Sequence, residues 1–221
     1  MLPFLASAFI LPLAPVLPAS RARASFTRVI KAVWMLGVGL ALSSIGFGAI
    51  TTFIVILFAQ NGWKQACLAF TLLSAFFMLG RVFLGHLPDR TGGAKVALVC
   101  LITEAVGQAC IWLAPSSVLA FAGAAMTGLG YSMVYPGLGV EAVRAASPDQ
   151  HGVVMGAYTT FLDLALGVAG PALGLAASLA GIKLIYGVSA GAVLCTGAVA
   201  WHLARDQREN RAENRQDRFL Q

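Results

Sequence analysis

Six long apolar runs constrain the fold of this chain more than any other feature of its sequence. Each run is close to the roughly 20 residues that an α-helix needs to cross about 30 Å of hydrocarbon. Lipid admits only helices and closed β-barrels, and the chain lacks the alternating segments of about 10 residues that are typical of barrel strands. The sequence therefore predicts an all-α integral membrane protein, a six-helix transmembrane bundle. The predicted spans are 32–59, 66–85, 96–114, 117–140, 153–180 and 184–204.

The composition agrees with a chain that is solvated by lipid. Of its 221 residues, 58% are hydrophobic and 11% are charged, whereas soluble domains carry about 25% charged residues. The four cysteines lie inside apolar runs without C-x-x-C spacing, which is typical of reduced thiols that pack as small hydrophobic side chains. We therefore expect no disulfide, no metal and no cofactor.

The basic residues are distributed as a topology signal and not as a patch for nucleic acid. Assigning the loops alternately to the two sides puts thirteen Lys and Arg on one side and two, Lys64 and Lys183, on the other. The positive-inside rule makes the crowded side cytoplasmic. Both ends of the six-span unit are therefore predicted to be cytoplasmic, with the lipid bilayer and no nucleic acid as partner.

The sequence divides into four parts. Residues 1–19 are apolar but contain four prolines, and no basic residue precedes them. We interpret them as the end of a preceding transmembrane helix, with a short seventh span or a secretory signal as alternatives. Residues 20–31 form a basic cytoplasmic loop, 32–204 the six spans, and 205–221 a charged cytoplasmic tail. The tail is expected to be a solvated extension of the last helix or disordered.

A polar loop follows the second span and is predicted to be a tight cytoplasmic turn. Gly92 and Gly93 permit positive φ, and Pro88 is expected to help end the helix. Asp89 is placed to meet a helix N-terminus, whose free N–H groups and dipole favour a carboxylate.

Two arginines of this region, Arg81 and Arg90, are expected to pair with acids on neighbouring helices. Breaking and remaking such an ionic clasp is one way to gate a cytoplasmic mouth. The alternative is a surface turn in which Asp89 caps its own backbone.

The loop resembles the G-x-L-x-D-R-x-G signature of the major facilitator superfamily. The matching residues are Gly85, Leu87, Asp89, Arg90 and Gly92. The two positions that follow are usually basic in that superfamily and are Gly93 and Ala94 here, so a phosphate contact is not carried over.

A second stretch, 167–174, is similar to the superfamily's antiporter motif G-x-x-x-G-P-x-x-G-G, although its first and last glycines are replaced. The motif predicts a helix kink at Pro171. The flanking Gly170 and Gly174 would let another helix pack closely against it. The glycine pairs Gly152/Gly156, Gly170/Gly174 and Gly187/Gly191 are likewise predicted to mark tight helix packing.

The resemblance implies more than the residues alone. Superfamily transporters have two six-helix halves, each built from inverted three-helix repeats, and this chain resembles the C-terminal half of a bacterial sugar- or drug-efflux-type member. A place in the bacterial inner membrane, a small-molecule substrate, proton-coupled efflux, and an N-terminal half or second copy as partner are then expected. The alternative is a non-transporting truncated membrane module, or a half that needs a partner half.

The first helix of each three-helix repeat lines the central cavity in the superfamily, which here means the first and fourth spans. Pro136, which lies between Gly130 and Gly137, is predicted to unwind the fourth span. The resemblance carries over hydroxyl side chains from both of these spans as candidates for the pathway, and the alternative is that they bond their own backbone and are structural. These side chains are Ser43, Ser44, Thr51 and Thr52 on the first span, and Tyr131, Ser132 and Tyr135 on the fourth.

Two acidic residues lie deep inside predicted spans and are candidates for proton coupling or cation recognition. From the rise of a helix, Asp163 lies roughly 16 Å and Glu104 roughly 13 Å from the cytoplasmic edge. The alternative is a protonated or packing carboxyl group without a role in transport. Glu141 precedes Arg144 by three residues and is predicted to form an i,i+3 ion pair with it.

An enzyme is not predicted, and no catalytic residue is proposed. The segment 187–191 fits G-x-S-x-G, but that motif requires a strand-to-helix turn and this copy lies in an apolar span.

Overall fold

The computed structural model describes residues 26–219, apart from the side chains of 26–32, 149, 180, 202–204 and 206–219. Six long helices carry the fold, and the described residues contain no strand. The helices are α1 (Phe26–Gln60), α2 (Ala66–Leu84), α3 (Gly93–Trp112), α4 (Ser117–Arg144), α5 (His151–Ala180) and α6 (Ile182–Phe219). A helical turn, Leu87–Thr91, and a 3-10 turn, Pro148–Gln150, connect them.

The predicted all-α architecture with six spans is confirmed, because each long helix contains a stretch apolar enough to cross a membrane. The helix ends differ from the prediction. The basic segment 20–31, predicted to be a loop, is helical from Phe26 onward. The helix α6 continues to Phe219, so the charged tail takes the first of its two predicted forms, an extension of the last helix. Hydropathy reports which residues lipid surrounds, whereas backbone hydrogen bonding continues past the membrane edge until a helix breaker. Residues 1–19 lie outside the described part of the chain.

The helix α4 is the most buried of the six long helices. The helix α4 packs against α3, α2 and α1, while α1 also packs against α5 and α6, and α3 packs against α6. In α4, 61% of the most apolar stretch is buried, against 17% in α2 and 11% in α5. The helices α2 and α5 therefore flank the bundle, and most of their surface is not covered by this chain.

Glycines bring the backbones of α3 and α4 close together. A Cβ atom on Gly107 would lie 2.7 Å from the carbonyl oxygen of Gly123, and one on Gly123 would lie 2.6 Å from the carbonyl oxygen of Gly107. A Cβ atom on Gly130 would lie 2.6 Å from the carbonyl oxygen of Cys100. This interface is the small-residue contact that is typical of membrane helices, where packing and not the hydrophobic effect drives association.

The glycine pairs predicted to mark tight packing do not do so within the described residues. A Cβ atom on Gly152, Gly156 or Gly170 would meet nothing within 4 Å, and one on Gly174 would make an ordinary 3.7 Å contact with Phe53. Of the predicted set, Gly187 alone is packed tightly, with the Trp112 ring 3.0 Å from the position of its Cβ atom. Sequence spacing shows which glycines share a face, but not which face meets another helix.

Two prolines lie inside helices that continue through them, Pro136 in α4 and Pro171 in α5. The prediction that Pro136 unwinds the fourth span is therefore wrong. A proline removes one backbone hydrogen bond, and the other bonds of the helix remain favourable where no water competes for them.

Candidate functional site

The motif loop folds into a helical turn, Leu87–Thr91, with Pro88 in its first positions. Pro88 therefore begins this turn and does not end α2, which ends at Leu84. Gly92 has a φ of 102°, as predicted for a residue that reverses the chain, whereas Gly93 already belongs to α3. Asp89 lies in the first turn of the short helix.

The charged residues of the loop are exposed. Asp89, Arg90 and Arg81 all lie at the surface of this chain, and none of them forms an ion pair within the described residues. The Arg81 guanidinium lies over the ring of Phe77, 5.3 Å from its centroid, which is a cation–π geometry. The ionic clasp therefore stays a prediction for contacts beyond the described part of this chain.

A different carboxylate meets the N-terminus of α3. Glu141 Oε1 accepts a hydrogen bond from the backbone N–H of Ala94 at 3.1 Å and lies 3.3 Å from the guanidinium of Arg144. The predicted Glu141–Arg144 ion pair is confirmed. The contact with Ala94 was missed, because no local pattern links residues that are 47 positions apart.

We expect Glu141→Ala to lower the free energy of unfolding by about 1–2 kcal/mol, because it removes the acceptor at a helix N-terminus. Glu141→Gln keeps an acceptor and should cost less. Asp89→Ala, at an exposed position at the same end of the bundle, should change stability by about 0.5 kcal/mol or less. Thermal unfolding of the purified variants measures all three, and equal losses for Glu141→Ala and Asp89→Ala would contradict the assignment.

A polar cluster lies in the interior where α1, α3 and α4 meet. Glu104 and Gln108 of α3 are both 0% exposed. The amide nitrogen of Gln108 donates to the carbonyl oxygen of Gly46 at 2.9 Å and lies 3.4 Å from the hydroxyl of Thr127. The hydroxyl of Ser43 lies within interaction range of the Glu104 carboxyl group, but neither forms a hydrogen bond of regular geometry among the described residues.

The predicted tyrosines are engaged within the bundle. The Tyr131 hydroxyl lies 3.0 Å from the hydroxyl of Ser44, and its ring stacks on Phe47 with centroids 4.9 Å apart. The Tyr135 hydroxyl lies 3.1 Å from that of Thr159. Tyr131 therefore borders the polar cluster, whereas Tyr135 links α4 to α5.

Asp163 and Glu104 are not brought together. Asp163 is exposed on α5, which packs mainly against α1, whereas Glu104 lies on α3, which packs against α4 and α6.

A cavity of about 520 Å³ lies between α1, α5 and α6. Its lining is apolar and includes Val38, Leu42, Phe161, Val168, Leu173 and Val188. It therefore offers no group that could hold a proton or an ion.

Sequence reasoning found Glu104, Ser43 and Tyr131 but missed Gln108 and Thr127. Gln108 follows Glu104 by four residues, a spacing that places both on one face of a helix, so a signal was present. Thr127 carried no such signal.

The G-x-S-x-G segment lies within the continuous helix α6, and Ser189 is 0% exposed. This part of the chain does not provide the strand-to-helix turn that the motif requires. In the described part of the chain, no three His, Cys, Asp or Glu side chains gather as metal ligands.

Six membrane-spanning helices that enclose a buried polar cluster define a multi-pass α-helical membrane protein. The family model of the Major Facilitator Superfamily matches residues 36–220. The chain belongs to this superfamily of transporters, which is not a class of enzymes.

Curated relatives agree with the assignment. The chain is 38% identical to the uncharacterized MFS-type transporter STM4428 of Salmonella typhimurium over 205 residues, which are 93% of this chain and 53% of that protein. It is 39% identical to the MFS-type transporter YhhS of the same species over 180 residues, 81% of this chain and 44% of that protein. An MFS-type transporter of Pseudomonas aeruginosa is also 39% identical, over 84% of this chain and 46% of that protein. The chain thus spans about half the length of these relatives.

Solved structures show the same fold. The chain resembles the crystal structure of the peptide transporter POT in complex with sulfate with a TM-score of 0.69 and 15% sequence identity, over 78% of this chain and 37% of that one. At this level of identity the likeness concerns the fold alone.

Proposed function

We propose that this chain supplies the C-terminal half of a secondary transporter that couples proton entry to the efflux of a small solute. The observation that carries the proposal is Glu104, a carboxyl group that is 0% exposed and forms no hydrogen bond of regular geometry among the described residues. Ionisable groups inside membrane helices are costly, and they are kept where ions or protons are handled. Asp163, at a similar predicted depth on α5, is the second carboxyl group of the proposal.

The loop that contains Gly85, Asp89, Arg90 and Gly92 serves as the cytoplasmic gate in this proposal, together with Arg81. Alternating access in this fold moves one half against the other around a central site. The exposed charges of the loop would pair across the cytoplasmic mouth in one state and separate in the other. Their exposure within this chain supports such a contact with another part of the transporter.

The partner in the proposal is an N-terminal six-helix half. Most of the surface of α2 and α5 is uncovered, and the space beside Gly152, Gly156, Gly167 and Gly170 on α5 is empty. Small residues on a membrane helix favour another helix over lipid as neighbour. A second copy of this chain is the alternative partner, and a truncated module that transports nothing is the alternative function.

The DNA upstream of the Met1 codon distinguishes these alternatives at little cost. An open reading frame there with six further spans would indicate one twelve-helix protein, and a separate adjacent gene for such a half would indicate a split transporter. Solute counterflow in proteoliposomes that contain only this chain tests the second copy, and an absence of counterflow at every protein density would exclude it.

Transport itself is tested with the complete transporter in proteoliposomes. A screen for solutes that raise its melting temperature identifies a ligand, and an imposed pH gradient should then drive that solute against its own gradient. A pH-sensitive dye should report proton movement in the opposite direction. If a sodium gradient drives transport and a pH gradient does not, the proposed coupling is wrong.

The proposed orientation, in the inner membrane with a cytoplasmic C-terminus, can be tested with thiol reagents. Cys67 is exposed at the start of α2, at the end predicted to face the periplasm. In a chain whose other cysteines are serine, a membrane-impermeant maleimide should label Cys67 in intact spheroplasts. With Cys67 also replaced, Thr91→Cys at the predicted cytoplasmic end should be labelled only after the membrane is opened. The reverse pattern would invert the topology.

A further inference from the structure

Three side chains from two helices bring an excess of hydrogen-bond acceptors into the interior. Four oxygen atoms of these three side chains form no hydrogen bond of regular geometry among the described residues: Ser43 Oγ, both carboxyl oxygens of Glu104, and Gln108 Oε1. All three residues are 0% exposed. A Cβ atom on Gly46 would lie 2.9 Å from Glu104 Oε1 and 3.2 Å from Gln108 Nε2, so both side chains converge on the same glycine of α1.

The orientation of the Gln108 amide is fixed by its neighbour. The carbonyl oxygen of Gly46 can only accept a hydrogen bond, so the amide nitrogen must face it, and it does so at 2.9 Å. Gln108 Oε1 is therefore left as an acceptor without a donor. Because buried polar groups without partners cost about 1–3 kcal/mol each, this arrangement requires something that supplies donors.

A single proton bound to Glu104 supplies the missing hydrogen-bond donor. A protonated Glu104 has one O–H group, which can donate to Gln108 Oε1, and the Ser43 hydroxyl can donate to the other carboxyl oxygen. A single bound proton then satisfies both oxygens of Glu104 and Oε1 of Gln108, with no net charge left in the interior. An ionised Glu104 would instead face the Gln108 carbonyl dipole with no cation to offset it.

We propose that Ser43, Glu104 and Gln108 form an enclosed site for a single proton, in which Ser43 and Gln108 are positioning residues. The site joins α1 to α3, so that gain or loss of the proton changes the contact between these helices. This inference deepens the proposed function, on which its role in coupling rests. The protonation of Glu104 can be measured on this chain without a transport assay.

Few other titratable groups act on this site. The Cys100 thiol, one turn earlier on α3, and the Tyr131 phenol of α4 both interact electrostatically with Glu104. The helix α1 contributes Ser43, which does not titrate. Arg81 of α2 acts on Tyr131, and within the described residues no charged group of α6 acts on Glu104.

Infrared difference spectroscopy of the chain reconstituted in lipid tests the site. We expect the carbonyl stretch of a protonated carboxylic acid at neutral pH, and we expect it to disappear as the pH is raised. Glu104→Gln should remove this band, whereas Asp89→Asn, which removes an exposed carboxyl group, should leave it unchanged. A missing band, or one that is present at every pH from mildly acidic to strongly alkaline, would overturn the proposal.

Two neighbouring serines provide a matched comparison that does not depend on Glu104→Gln folding. Ser43→Ala removes the proposed donor to the Glu104 carbonyl group, so the band should move to higher frequency and disappear at a different pH. Ser44 is equally buried, but its hydroxyl lies 2.7 Å from the backbone oxygen of Leu40, so Ser44→Ala should leave the band in place. Equal effects of the two changes would overturn the role of Ser43.

A comparison of Na⁺ with K⁺ distinguishes a bound proton from a bound sodium ion. At fixed pH and ionic strength, replacing K⁺ by Na⁺ should not change the band. If Na⁺ alone abolishes it, the occupant is a sodium ion and the proton assignment is wrong. A failed spectroscopic result leaves the transport assays of the proposed function intact, and failed transport leaves the spectroscopic result intact, so the two failures are distinguishable.

Discussion

Replacing Gly107 by alanine should destabilise the folded chain by about 1–3 kcal/mol, as overpacking does in well-packed interiors. The new Cβ atom would lie 2.6 Å from the Thr127 hydroxyl and 2.7 Å from the carbonyl oxygen of Gly123. Two of its three nearest neighbours are backbone atoms of α4, so the helices themselves must separate. The loss should be visible as a lower midpoint of thermal unfolding in lipid or mild detergent.

The matched control is Gly156→Ala on α5. A Cβ atom there would meet nothing within 4 Å, and alanine is favoured over glycine in a helix by about 0.5–1 kcal/mol. In this chain without the proposed N-terminal half, the variant should therefore be as stable as the wild type or slightly more stable. If Gly156→Ala is the more damaging of the two, the α3–α4 contact is not the tight interface described here.

Asp163→Asn should abolish transport driven by a pH gradient in the complete transporter and should leave solute counterflow in place. Asparagine has nearly the same shape but cannot exchange a proton at physiological pH, so it removes coupling without removing the side chain. Because Asp163 is exposed on α5, the change leaves no buried group without a partner, and the melting temperature should be nearly unchanged.

The comparison for this variant is Glu141→Gln. Glu141 is a carboxylate that is already paired with Arg144 and the backbone of α3, so pH-driven transport should persist when it is replaced. The two rates are measured in parallel with the same solute, with counterflow as the measure of folded transporter. Unchanged pH-driven transport in Asp163→Asn would remove this residue from the proposed mechanism.

Much of the fold could be predicted because lipid imposes a simple rule on the sequence. Apolar length and loop charge were enough to place six helices, since the membrane excludes other backbone structures. The ends of the helices could not be predicted in the same way. The helix α1 begins at Phe26, inside a basic segment, and α4 extends to Arg144, because backbone hydrogen bonding continues into water wherever no residue interrupts it.

The candidate site was predicted only in part. Depth along a span identified Glu104 and Asp163, because a carboxyl group inside an apolar run is visible in the sequence. The partners of these groups were not visible, since Ser43 and Gly46 lie on a different helix from Glu104 and Gln108. The Ala94–Glu141 contact at the N-terminus of α3 was hidden for the same reason.

The sequence by itself determined that this chain is a membrane protein, that residues 32–204 contain six helices long enough to cross the bilayer, and which superfamily its loop after the second span resembles. Only the tertiary structure decided which glycines are in contact, that Pro136 stays within a continuous helix, and that the side chains of Glu104 and Gln108 converge on Gly46 of α1. The physical reason is that hydropathy is a property of each segment and its solvent. Packing depends on the rotation of each helix about its axis, which is set jointly by all its neighbours.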